Sequence, residues 1–179
     1  MALRMFAFTW LLWIATLSWG VGLGAKLFDL LVVAGAWGAS PPASFALLPY
    51  GPAYPLNPGA FFQPLSIVMA VSIVGALIAG WGHSRPMRVW LWIGTLSFVA
   101  IWAITPTVFW PMINQQYDIA TGKLTASVAE ATALTARWYA WDWFRVCLIA
   151  LGFVASVRAI SLGTALHQNE IGVSSTLPE

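Results

Sequence analysis

Charge is the scarcest commodity in this chain. Of 179 residues only 8% are charged while 60% are apolar, against about 25% charged in a soluble domain. A water-facing surface cannot be covered from that supply, so a soluble globular fold is excluded. The net charge of +2, with no basic cluster larger than two residues in a short loop, excludes nucleic acid as a partner. There is one cysteine, Cys147, which rules out an intrachain disulfide and any multi-cysteine metal site. The two histidines, His83 and His167, lie in segments that read as a turn and a tail. A zinc or haem site needs well-spaced nitrogen or sulfur ligands, so no metal or other cofactor is expected. No glycine-rich phosphate loop, dinucleotide fingerprint or Ser-His-Asp pattern is present.

What remains is hydrophobic length. The mean hydropathy is +0.79, and runs near the ~20-residue spanning length occur repeatedly. They predict spans at about 5–27, 65–81, 89–110 and 138–162, forming one transmembrane bundle over residues 1–162, with a polar, mobile tail over 163–179. Arg4, an apolar run and Gly22-Leu-Gly-Ala25 mimic a signal peptide, but the segment is expected to be retained as the first span. Its pattern continues to Trp37, too long for one crossing. The prediction is a helix that projects beyond the membrane or kinks near Gly20, Gly22 and Gly24. Gly20-xxx-Gly24 also permits close helix approach, more readily within this bundle than in a dimer. Residues 40–64 carry seven prolines and no charge, which predicts an irregular loop. After a polar connection over 114–126, Ser127-Val-Ala-Glu130 matches a capping box. The fourth helix should therefore begin well before its lipid crossing.

Arg4, Arg85, Arg88 and Arg158 fall at one side, so the positive-inside rule places both termini in the cytoplasm, in an inner membrane of bacterial type. Trp81 and Trp90 would mark the inner interface, and Trp37, Trp110 and Trp138 the outer one. The fold class is thus all-α: a four-transmembrane-helix bundle whose helices 1 and 4 extend beyond the outer surface under a proline-rich loop.

One stretch stands out against this background: Arg137-Trp-Tyr-Ala-Trp-Asp142-Trp-Phe-Arg145. A charge near the bilayer centre costs about 2.5–3.5 kcal/mol on insertion scales, so such groups face a partner or a watery cavity. Asp142 and Arg145 share a helix face. At ~1.5 Å per residue, Lys26 lies roughly 31 Å above Met5 and Asp142 roughly 27–30 Å above Leu162. Matched depth predicts Lys26 against Asp142, Arg145 just beneath, and Asp29 near Arg137. Trp138, Tyr139 and Trp141 would supply aromatic walls. The alternative is that these charges sit at the interface, snorkel to water and only anchor helix ends.

Several features in order resemble the DUF1772 family of four-helix membrane proteins, which includes anthrone-oxygenase-like members. They are the glycine-rich first helix ending near Gly24-Ala-Lys-Leu-Phe-Asp29, the Thr105-Pro-Thr107 end of the third helix, and Trp138-x3-Asp142-x2-Arg145. The family usually has Asn after the third-helix proline and His or Asn before the arginine, where this chain has Val108 and Asp142. The resemblance implies oxidation of an electron-rich polycyclic phenol by dioxygen, without metal or flavin. Asp142 would then be the base, Arg145 or Lys26 the cation that stabilises the anion, and Trp138, Tyr139 and Trp141 the stacking surface. Three function classes follow: a small membrane enzyme or binder for a hydrophobic aromatic molecule between helices 1 and 4, a non-catalytic accessory subunit of a larger membrane complex, and, weakest, a transporter component. The partners expected are the lipid bilayer and either that small molecule or other membrane proteins.

Overall fold

A computed structural model describes residues 2–50 and 57–174, with side chains over 4–50 and 57–163. Among the described residues four helices are long and apolar enough to cross a membrane, and there is no strand. The first, α1, runs as α-helix from Ala2–Phe28, passes through a π-helical turn at Asp29–Val33 and ends in the α-turn Ala34–Trp37. Helix α2 covers Gly59–Ala79. Helix α3 runs Arg85–Ile104, then through a second π-turn at Thr105–Phe109 into Trp110–Ala120. Helix α4 covers Val128–Ser174. Neighbours in sequence are neighbours in space: α1 packs on α2, α2 on α3, α3 on α4, and α4 closes the ring against α1.

Several boundaries differ from the sequence reading, each for a physical reason. The first helix does not kink at its glycines, since its α-geometry holds to Phe28 and departs only at Asp29. The third helix continues to Ala120, past residue 110, where the predicted span ends beside Pro111. Proline lacks an amide and clashes with the preceding turn. Here the π-turn takes up Pro106, while the Thr105 hydroxyl donates to the Ile101 carbonyl and that of Thr107 to Ala103, both at 2.7 Å. The first part of the predicted polar connection, 114–120, is therefore helix, and the connection itself is confined to 121–127. Likewise α2 begins at Gly59 and contains Pro64, whose missing amide falls within its second turn. The tail is helical through Ser174. Of the proline-rich loop, the described part holds a 3-10 turn at Ala43–Leu47; Pro52, Tyr54 and Pro55 lie outside the described residues.

The capping box forms as its spacing requires. The Ser127 amide donates to Glu130 Oε2 at 2.8 Å, and the Glu130 amide donates to Ser127 Oγ at 3.3 Å. Ser127→Ala should cost about 1 kcal/mol and speed hydrogen exchange in the first turn of α4 alone. Unchanged exchange there would count against the cap.

Buried side chains divide into two apolar clusters. The basal one, toward the N-terminus and the α2–α3 turn, includes Phe8, Leu12, Trp19, Ile73, Leu91 and Ile149. The distal one includes Leu30, Trp37, Phe45, Phe109, Met112 and Trp138. Trp37 and Trp138 are thus core residues, 2% exposed each, with ring centroids 4.8 Å apart in a T-shaped contact. They are not the interfacial belt their positions implied. The small-residue motif acts inside the bundle at one of its two glycines. A side chain at Gly20 would meet Phe153 of α4 and one at Gly24 nothing within 4 Å, while among the described glycines the closest approach is Gly152 of α4 against Trp19.

Candidate functional site: a buried charge quartet

Between the two apolar clusters lies a layer of charge. Lys26 of α1 is 4% exposed and Asp142 of α4 is 0% exposed. The Lys26 ammonium stands 2.5 Å from Asp29 Oδ2, one turn along its own helix, and 3.0 Å from Asp142 Oδ2 across the interface. Asp142 Oδ1 accepts two hydrogen bonds from Arg145, from Nε at 3.0 Å and from a terminal guanidinium nitrogen. Two cations and two anions thus form one neutral quartet. Burial forces this arrangement, because removing a charge from water costs several kcal/mol unless a partner and good geometry offset it.

The quartet is walled by rings. Lys26 Nζ lies 5.8 Å from the Phe62 ring centroid and 5.3 Å from that of Trp138. The Arg145 guanidinium sits 3.8 Å from the centroid of Phe109, a contact favoured by the negative face of the ring. Phe109 is the last residue of the α3 π-turn, and Asp29 is the first of the α1 π-turn. Both irregular turns therefore border the charges, and such bulges often accompany functional sites. Tyr50, in the loop after α1, completes the surroundings. Its phenol is pushed above its usual range, first by burial and then by the carboxylate of Asp29, so it stays protonated.

The structure brings together Lys26, Asp29, Asp142, Arg145 and Trp138. It does not bring the other sequence candidates. Asp29 pairs with Lys26 rather than Arg137, which is exposed. The reason is reach: Asp29 lies three residues from Lys26, on the same face. Trp141 turns outward, stacking edge-on with Phe144, because it is one residue out of phase with the Trp138–Asp142–Arg145 face. Tyr139 is a tie between helices. Its hydroxyl donates to the Ala34 carbonyl at 2.6 Å and its ring stacks on Trp37. It also edges an open groove of about 430 Å³ at the distal end, between Gly38–Pro41 and Thr132, Thr135 and Ala136. Among the described residues no three His, Cys, Asp or Glu side chains gather in one place.

Four residues of the surroundings escaped the sequence reading. Phe62 and Tyr50 lie in or beside the proline-rich segment, where no period reports which side chain turns inward. Gln116 lies beyond residue 110, where the predicted span ends, and Phe109 lies inside that span, where an unbroken apolar run does not report which ring turns inward.

A four-helix membrane bundle with a charge quartet sealed between its first and last helices is the class this geometry defines. The family model for anthrone oxygenase matches residues 55–155, more than half of the chain. The protein belongs to that family, the anthrone-oxygenase branch of DUF1772. The matched region holds Asp142, Arg145, Phe62 and Phe109; Lys26 and Asp29 lie before it. No curated protein and no solved structure matches the chain.

Proposed function

We propose that this protein binds a planar, electron-rich aromatic ketone or phenol of the anthrone type beside the quartet and oxidises it with dioxygen. One observation carries the reading: a chain of the anthrone oxygenase family places a buried carboxylate, two cations and a set of aromatic faces in a single layer. In the proposed reaction one anthrone and one dioxygen give one anthraquinone and one water. Asp142 accepts the proton lost from the ring methylene, and Lys26 and Arg145 stabilise the negative charge that moves onto the anthrone oxygen. The electron pair left on carbon forms the C–O bond with dioxygen, which is thereby reduced. Loss of the second methylene hydrogen as a proton and cleavage of the O–O bond release water and leave the quinone. Phe62, Phe109 and Trp138 would hold the ring system, and the site would face the outer leaflet of an inner membrane.

The test is oxygen uptake and quinone absorbance in nanodiscs, measured against protein-free nanodiscs. The wild-type protein should accelerate the conversion, and Asp142→Asn should remove at least ~100-fold of that acceleration, as expected for loss of a general base. A rate equal to the protein-free control would refute the assignment.

A second reading is a non-catalytic accessory subunit of a larger membrane complex. It is favoured by the neutrality of the quartet, since four charges that balance one another need no ligand. It predicts stoichiometric partner proteins on purification from the native membrane in mild detergent, and no effect of Asp142→Asn on any quinone formed.

A further inference from the structure

The quartet does not account for every buried polar atom nearby. Gln116 of α3 is 0% exposed, and among the described residues neither its Oε1 nor its Nε2 has a hydrogen-bond partner. The same holds for the indole Nε1 of Trp138. Asp142 Oδ2 has an ion-pair neighbour in Lys26, but the contact lies off the hydrogen-bonding direction, so it too has unused capacity. Leaving a buried amide unpaired is destabilising, and native proteins meet such groups with ordered water.

These atoms are arranged by depth. Trp138 and Asp142 are four residues apart on one face of α4, about 6 Å along its axis. Gln116 lies seven residues beyond Phe109 on α3, about 10 Å further from the quartet, and Phe109 contacts both Arg145 and Trp138. From the distal end inward the order is Gln116, Trp138, Asp142. Met112, one turn from Gln116, belongs to the same buried cluster as Trp138.

We propose that Gln116 and Trp138 Nε1 anchor a short file of internal water that links the distal surface to Asp142 Oδ2. The ligand class is water itself. The primary amide suits the task, because it donates and accepts at once and holds a water in either orientation. The file is a route by which protons exchange between the distal solution and the quartet. Gln116 is a positioning residue in it, and this role is independent of whether an aromatic substrate binds.

The indole N–H of Trp138 reports on the file directly. In the full-length protein in nanodiscs, labelled with 15N-tryptophan and assigned through Trp138→Phe, that proton should exchange with solvent deuterium at least ~10-fold faster than the indole N–H of Trp19, which is buried and unpartnered in the basal cluster. Gln116→Leu should slow Trp138 at least ~10-fold and leave Trp19 unchanged. If Gln116→Leu does not fold, the comparison of Trp138 with Trp19 in the wild type still decides. Equal, slow exchange at both indoles would overturn the proposal, as would an unaltered Trp138 rate in Gln116→Leu.

Discussion

Lys26→Met is expected to destabilise the bundle by about 3–5 kcal/mol, the usual cost of removing one partner from a buried ion pair. The methionine fills the space, so the loss reports charge rather than volume. It strands Asp29, whose ion pair is with Lys26, and leaves Asp142 with Arg145 alone. Reversible unfolding in mixed micelles would measure it, and a change below ~1 kcal/mol, the range of exposed pairs, would mean the quartet is hydrated. Exchanging charge between Lys26 and Asp142 alone should fail to rescue. Lys26→Asp would stand beside Asp29, and Asp142→Lys beside Arg145, one like-charge contact on each helix. Reversal of all four positions, with Asp29→Lys and Arg145→Asp added, keeps every attraction and should recover most of the stability. The four act as a unit or not at all.

The second large effect concerns shape. A Cβ on Gly152 would lie 2.5–2.6 Å from three atoms of the Trp19 indole, and Trp19 is 0% exposed. A ring enclosed on every side cannot yield, so Gly152→Val should cost about 3 kcal/mol or more, the upper end of overpacking. Gly24→Ala meets nothing within 4 Å and should stay within about 0.5 kcal/mol of wild type. Adding Trp19→Leu to Gly152→Val makes room and should return part of the loss. Thermal unfolding of these variants is the measurement. Equal stability of the Gly152 and Gly24 variants would contradict the packing of α1 on α4.

Periodicity and charge economy carried a large share of this fold. The hydrophobic runs predict four crossings, and among the described residues four helices are long and apolar enough to make them. Depth matching from a constant rise per residue places Lys26 opposite Asp142, because both helices are unbroken α-helix below the quartet and one rise then suffices. The same reasoning misplaced Asp29, since it compared depth and ignored that a side chain one turn away on its own helix is nearer than any across the interface. Proline misleads twice, at Pro64, which lies inside α2, and at Pro111, beyond which α3 runs on to Ala120. Local rules treat proline as a terminator, but in a bundle the lost bond is absorbed by a widened turn and by threonine hydroxyls. Ending α3 at residue 110 also hides Gln116; Phe109 falls inside the predicted span, where an apolar run gives no sign of which ring turns inward. Trp37 and Trp138 read as an interface belt because amphipathic rings favour that depth in general. Only the packed structure shows that the bundle continues past that depth and encloses them.

The two π-turns give the molecule a property of another kind. Each adds one residue to a helix that otherwise follows the α-repeat, so the side chains beyond it are turned by about 100° relative to an unbroken helix. The basal and distal halves are therefore keyed to different registers, with Asp29–Val33 and Thr105–Phe109 as the joints. Deleting a single residue at either joint would leave the basal packing in phase while rotating the distal cap away from the charges it covers. Single-residue insertions at those joints could re-aim the cap without disturbing the bundle that holds it in the membrane.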